Sequence, residues 1–307
     1  MSKAVVGIPR ALVYWKEPLG EFWKALLEEL GYEVILSPVT NRDIVAQGVR
    51  ISDQENCFAC KVFWGHILWL DQKVDFIFVP RLIRREDGLE YCPKLFALPD
   101  LAKLFVTTPI IAPWVDLSKK QISQIVTKTF CEFKFKKSKI RDAVQRGLET
   151  VEKEKQIRKR ETEKKIYSSD RKIALVSHPY NLYDDFVNME SRKRLEELGT
   201  TPLCVDTLPA SAIDTFHKDS DNNSLLPYWH WEFADEIMRE IRYALNFDLA
   251  GAVEVSSFPC GCDAVLKEFV EREFKMHKIP FLYIIIDEHS GEAGLQTRLE
   301  AFVDTLK

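Results

Sequence analysis

The chain has 307 residues, 46% of them hydrophobic and 29% charged, with a formal net charge of −4. This length exceeds one ordinary core and suits two domains, the composition is that of a globular protein, and the slightly negative charge excludes overall attraction to nucleic acid or an anionic membrane. No apolar run reaches the ~18 residues of a spanning helix, and the opening MSKAVVGIPRALVYW lacks a basic segment leading into an apolar run, so the expected compartment is the cytoplasm, with neither membrane nor nucleic acid as partner.

Ala4 to Ile8 reads as a short buried strand ending in a Gly/Pro loop. Phe22, Leu26, Leu27 and Leu30 then recur at helical spacing, with Gly31 as a natural C-cap. Glu33 to Leu36 is a second strand, and Asn41 can N-cap a helix through NRDIVAQGV. KVDFIFVPRL supplies a third strand and VTTPIIAPW a fourth, the latter interrupted by proline. Strands alternating with helices predict a parallel α/β sheet.

Between 118 and 170 the composition changes: FKFKKSKIRDAVQRGLETVEKEKQIRKRETEKKI is highly charged and free of Pro. Val144, Leu148, Val151 and Lys155 mark one narrow face. Acids and bases interleave, which favours a solvated connecting helix with i,i+4 ion pairs over a basic docking surface. The pattern then restarts. RKIALVSHPYNLYDDF repeats strand, loop and helix; SRKRLEELGTTPLCVD repeats helix, Gly cap and strand. DLAGAVEVSSFPCGCD runs a strand into a cysteine loop, KIPFLYIIIDEHSGEAG is a long apolar strand ending in a polar loop, and RLEAFVDTL closes the chain. In LPYWHWEF, the grouping of Trp229, His230 and Trp231 suits core or interface packing better than base stacking. The predicted boundaries are 1–117, 118–170 and 171–307.

Seven cysteines stand at 57, 60, 92, 131, 204, 260 and 262. A reducing compartment argues against structural disulfides. A thioredoxin-like pair would explain Cys57 and Cys60 alone. Zinc would want a second pair at knuckle spacing, whereas the second pair here is C-x-C, Cys260 and Cys262. An iron–sulfur cluster accepts thiolates from distant segments. Cys57/Cys60, Cys92 and Cys260/Cys262 lie in loops or at helix starts, where Gly and Pro can shape the backbone. A metal or cluster is favoured over inert thiols, with the redox pair and zinc left open. Cys131 and Cys204 read as buried apolar cysteines.

IPRAL at 8–12, EFWKALLEELGYEVILSPVTN, ENCFACKVFWGH, VDFIFVPR, YCPKLFALPD and DEHSGEAGLQTRLEAF together resemble the 2-hydroxyacyl-CoA dehydratase superfamily, and more narrowly its activase-related branch. The resemblance covers roughly 3–116 and 172–307. It implies two Rossmann-like, flavodoxin-like parallel-sheet domains joined by the charged helical segment, with a cluster in the interdomain cleft. It implies a 4Fe–4S cluster on three cysteines with one iron open; a relative carries a double-cubane cluster. By position the implied ligands are Cys57, Cys92 and Cys260, with Cys60 and Cys262 as additional or alternative ones. Electrons would come from a separate ATP-hydrolysing activator, itself an iron–sulfur protein. The dehydratases act on 2-hydroxyacyl-CoA thioesters through ketyl radicals. The chain departs from the pattern in its two extra thiols, in its shorter length and in lacking G-x-x-x-x-G-K-[ST].

Beside such a cluster, His66, His289 and Glu288 are the candidates for proton work, with Asp287 and Glu292 placed to hold the His289 tautomer. Ser290 is the expected N-cap of the following helix, and Arg298 an ion pair or carboxylate clamp. His178 follows the strand IALVS, and the SHPYNLYDDF loop is either a cleft wall or an ordinary βα connection. The leading expectation is an enzyme doing low-potential reductive or radical chemistry on a small, CoA-linked substrate. The alternatives are an electron carrier or accessory subunit with a fully thiolate-ligated cluster, and a zinc-bound or metal-free interaction module. Homo- or hetero-oligomeric assembly is compatible with all three.

Overall fold

A computed structural model describes residues 3–15, 19–168, 170–209, 213 and 230–306. It divides into two compact units, Met1–Lys155 and Gln156–Lys307.

The first unit runs β1 (Val5–Ile8), α1 (Leu19–Leu30), β2 (Glu33–Leu36), α2 (Arg42–Ile51), α3 (Phe58–Leu70), β3 (Phe76–Phe78), β4 (Arg81–Arg84), α4 (Pro93–Phe105), β5 (Ile110–Ile111), β6 (Trp114–Asp116) and α5 (Ile122–Glu132). The 30-residue α6 (Lys137–Ile166) continues past the division. The predicted α1 face is buried: Phe22, Leu26, Leu27 and Leu30 lie in the core with Trp23. Gly31 ends the helix at φ +100, a conformation open to Gly at little cost, and its amide bonds to Glu28 O at 2.9 Å. Asn41 caps α2 as expected, its side chain accepting from the amides of Asp43 and Ile44.

The main sheet is parallel in the order β2-β1-β3-β5, with Val6 opposite both Val34 and Phe76. The third and fourth predicted strands each prove to be two. Pro80 and Pro113 have no N–H to give a ladder, so each strand breaks there. The ladder resumes through Arg81 N–H to Pro113 O at 2.9 Å, and β4 and β6 form a small parallel pair of their own.

Helices α2 and α3 cross backbone to backbone. A Cβ at Gly48 would sit 1.8 Å from the Lys61 carbonyl oxygen, and one at Gly65 would sit 1.9 Å from that of Ile44. On α6 the buried stripe is Ile140, Ala143, Val144, Gly147 and Val151. Two members of the predicted face, Leu148 and Lys155, are exposed, because Gly147 takes the inward position against the Phe22 ring.

The second unit runs β7 (Lys172–Val176), α7 (Pro179–Leu182), α8 (Ser191–Glu197), β8 (Thr201–Cys204), α9 (Glu232–Ala244), β9 (Leu249–Ser257), α10 (Gly261–Met276), β10 (Phe281–Ile286) and α11 (Glu292–Asp304). Its sheet is parallel in the order β10-β9-β7-β8. Numbering each main sheet's strands in chain order, both units read 2-1-3-4, the flavodoxin-like order. The expected α/β fold with two parallel-sheet domains is therefore present. The core packs Ala174, Val176, Leu203, Ile237, Ile241 and Phe274. Trp231 is the N-cap residue of α9 and lies against this core, whereas Trp229 lies outside the described residues.

Two local expectations are corrected. Cys131 is exposed, because it falls on the outer side of α5 while Ile125, Val126 and Phe130 take the inner one. Gly291, not Ser290, is the N-cap residue of α11; the Ser290 hydroxyl instead donates to Asp287 Oδ1 at 2.8 Å. Arg298 donates to the Tyr283 carbonyl oxygen. Among the described residues, no helix is long and apolar enough to cross a membrane.

Candidate functional site

In the first unit two of the predicted ligand cysteines open helices. Cys57 is the N-cap residue of α3, and Cys92 that of α4, where Pro93 takes the first helical position. The i,i+3 spacing puts Cys60 on the same side of α3 as Cys57, and the two sulfurs lie 3.4 Å apart. Both thiols are buried, and Cys92 is partly so. The pair interacts electrostatically with Cys92, so all three thiols share one locality. Lys94 is anchored there by a 2.9 Å bond from Nζ to Glu55 O, and its charge favours thiolate at both Cys60 and Cys92.

Without a cation, Cys60 and Cys92 hold their protons. The Cys57 contact, then burial, pushes the Cys60 pKa well up. Burial likewise raises that of Cys92 against the opposing pull of the Lys94 and Leu95 amides and the Lys94 charge. Grouped thiols, helix N-termini and a lysine form a donor set that fits an iron–sulfur cluster, since cation binding displaces the protons and the helix ends stabilise the resulting thiolates.

In the second unit Cys260 is the N-cap residue of α10, joined to the end of β9 through Phe258 and Pro259. Cys260 and Cys262 are partly buried. They flank a polar cluster. Asp263 Oδ1 lies 2.6 Å from His178 Nε2, and the Ser256 hydroxyl donates to Asp263 Oδ2 at 2.6 Å. Burial raises the Asp263 pKa, but the His178 charge and bonds from His178, Ser256 and Cys260 outweigh it and hold the carboxyl below its usual range. Tyr180 stacks on the His178 ring at 4.9 Å, and Phe233 meets it edge-on at 4.6 Å. One donor atom from each of His178, Cys262 and Asp263 fits within 4.8 Å of the others.

The histidines predicted for proton work differ in setting. His66 is fully buried, with Nδ1 2.8 Å from Ser37 Oγ and Nε2 2.9 Å from Thr40 Oγ1. Burial, helped by the Arg10 charge, pulls its pKa down to about 3, so it is neutral at physiological pH and ties α3 to the segment after β2. His289 is exposed, and its amide donates to Asp287 Oδ1 at 2.9 Å. Partial burial pushes the Asp287 pKa up, but bonds from Ser290 and the His289 amide bring it below the carboxylate norm. Glu288 is half-buried in the same turn. The SHPYNLYDDF segment is tied within its own unit: Tyr183 donates to Asp206 Oδ2 at 2.7 Å, and Asp184 Oδ1 accepts from the Val187 amide at 3.2 Å.

Sequence reading passed over Asp263, Ser256 and Glu254. The available signal was a glutamate in the middle of the apolar run LAGAVEVSS, where a nonpolar residue is the rule.

Two solved structures align along the chain, those of ZnuA and of a zinc-bound AdcAII variant from Streptococcus pneumoniae. The first is 9% identical, with 99% of each chain covered and a TM-score of 0.30; the second is 9% identical, with 100% of each covered and a TM-score of 0.28. Likeness this slight carries no argument. No curated protein matches the chain. A family model does, over residues 5–208, a stretch that takes in Cys57, Cys60, Cys92 and His178. With two thirds of its length matched, the chain belongs to the CoA enzyme activase uncharacterised domain family (DUF2229).

Proposed function

We propose that this is an iron–sulfur protein of the 2-hydroxyacyl-CoA dehydratase superfamily, using low-potential electrons from a separate ATP-hydrolysing iron–sulfur activator for reductive or radical chemistry on a small, CoA-linked substrate. The family match supports the activase-related branch. The observation that carries the cluster is the placing of Cys57 and Cys92 at two helix N-termini, with Cys60 3.4 Å from Cys57. The proposed ligands are Cys57, Cys92 and Cys260, itself the N-cap residue of α10, with Cys60 and Cys262 as additional or alternative thiolates. A 4Fe–4S cluster, or a double cubane, supplies low-potential electron transfer and, where one iron lacks a protein ligand, a Lewis-acidic position for a carbonyl or hydroxyl. In the chain itself, Lys94 and the helix ends offset the thiolates' negative charge, and Glu288 and His289 are the proposed proton carriers.

Anaerobic purification with iron, sulfide and EPR analysis tests the proposal. Iron and labile sulfide should copurify with the wild type and be largely lost in Cys57→Ser, Cys92→Ser and Cys260→Ser, but not in Cys204→Ser. A colourless, iron-free anaerobic protein, or full iron in all three ligand variants, overturns it. The Cys57–Cys60 contact favours a second reading, an electron carrier whose cluster has a full set of thiolates. An EPR spectrum that acyl-CoA leaves unchanged selects the carrier, and one that it shifts selects the enzyme.

A further inference from the structure

Glu254 stands in the middle of β9 at 2% exposure, and its Oε2 has no hydrogen-bond partner among the described residues. A buried carboxyl oxygen without a partner is costly, and buried charge is normally paired or bound to a metal. Glu254 is electrostatically coupled to a second buried carboxyl, Asp263, at 3% exposure. Asp263 faces His178, and Cys262 completes a group whose donor atoms fit within 4.8 Å. His178 directly follows Ser177 at the end of β7, and Cys262 and Asp263 occupy the first turn of α10 after β9. β7 and β9 are the adjacent strands at which the order 2-1-3-4 reverses. In open α/β sheets the carboxyl ends of those two strands are where ligands bind.

We propose that His178, Cys262 and Asp263 are the ligands of a mononuclear divalent transition-metal site of the zinc type. One imidazole, one thiolate and one carboxylate match zinc, whereas magnesium and calcium take oxygen donors. Three protein ligands leave a fourth position for water or a substrate oxygen, the arrangement of catalytic rather than structural zinc. The outer support is present: Ser256 bonds Asp263 Oδ2 at 2.6 Å, and Tyr180 and Phe233 fix the His178 ring. Glu254 adds a second carboxyl to balance the cation. Cys262 thereby takes a different partner from Cys260.

Cobalt(II) added to the full-length, iron-stripped protein reports the site through thiolate-to-cobalt charge-transfer absorption. Cys57→Ser/Cys60→Ser protein removes the other close thiol pair. It should bind one cobalt with this band, and zinc should displace it. Adding Cys260→Ser should leave the band in place, adding Cys262→Ser should abolish it, and adding His178→Gln should weaken binding at least ~10-fold. Circular dichroism verifies folding; should His178→Gln misfold, Cys262→Ser at its half-exposed position carries the test alone. Absence of the band in folded Cys57→Ser/Cys60→Ser protein overturns the proposal. So does a band that survives Cys262→Ser, or one lost with Cys260→Ser.

Discussion

His66 shows how far a side chain's neighbours decide its role. By type it is a proton carrier; by position it is a neutral strut, with a hydroxyl on each ring nitrogen and a pKa of about 3. An unfolded histidine takes its proton near pH 6.5, so the folded state binds fewer protons over the interval between. The stability this gives is complete above about pH 6.5 and is lost as the pH falls toward 3. Urea unfolding at pH 7 and pH 5 should show wild type losing about 2 kcal/mol more than His66→Gln. An equal loss in the two proteins would refute this reading. Sequence could name His66 but not its setting, since Ser37 and Thr40 reach it only through the fold. Glu254 escaped notice for the same reason, since a lone acid in a strand reads as solvent-facing until the sheet is seen to be covered, and Asp263, in the first turn of α10, reads as an ordinary helix-start acid until His178 is seen beside it.

At the scale of elements, caps and breaks were the most legible features. Gly31 and Asn41 end and begin helices as their chemistry requires, and Cys57, Cys92 and Cys260 do stand at helix starts. The division of two strands at Pro80 and Pro113 was less legible, because a proline can end a strand or merely interrupt it. Nor did the sequence show that Gly48 and Gly65 meet. Their contact leaves no room for a methyl group against the facing carbonyls. Gly65→Ala should therefore cost on the order of 2–3 kcal/mol, well beyond an exposed substitution. Chemical denaturation measures it, with Gly294→Ala, at an exposed helix position with nothing near the added methyl, as the control. If Gly65→Ala costs no more than that control, the close crossing is wrong.

Over the whole molecule, the recurrence of strand, loop and helix in the sequence announced two similar halves, but not strand order, which depends on pairings between distant segments. Both halves place their first and third strands inside the main sheet. Hydrogen exchange followed by mass spectrometry should find β1 and β3, and β7 and β9, slower than the edge strands β2, β5, β8 and β10, because interior amides open only with their sheet. Edge strands as slow as these would contradict the order. The α2–α3 crossing also bears on how the grouped thiols of the first unit would admit an inorganic guest. With two backbones wedged against each other, the Cys57–Cys60 rim cannot give way without unseating α2. Helix α4 is more compliant: Pro99 lies inside it and gives the Leu95 carbonyl no amide to hold. Accommodation therefore falls to the wall that carries Cys92, and loading should register first as a change in the mobility of that helix.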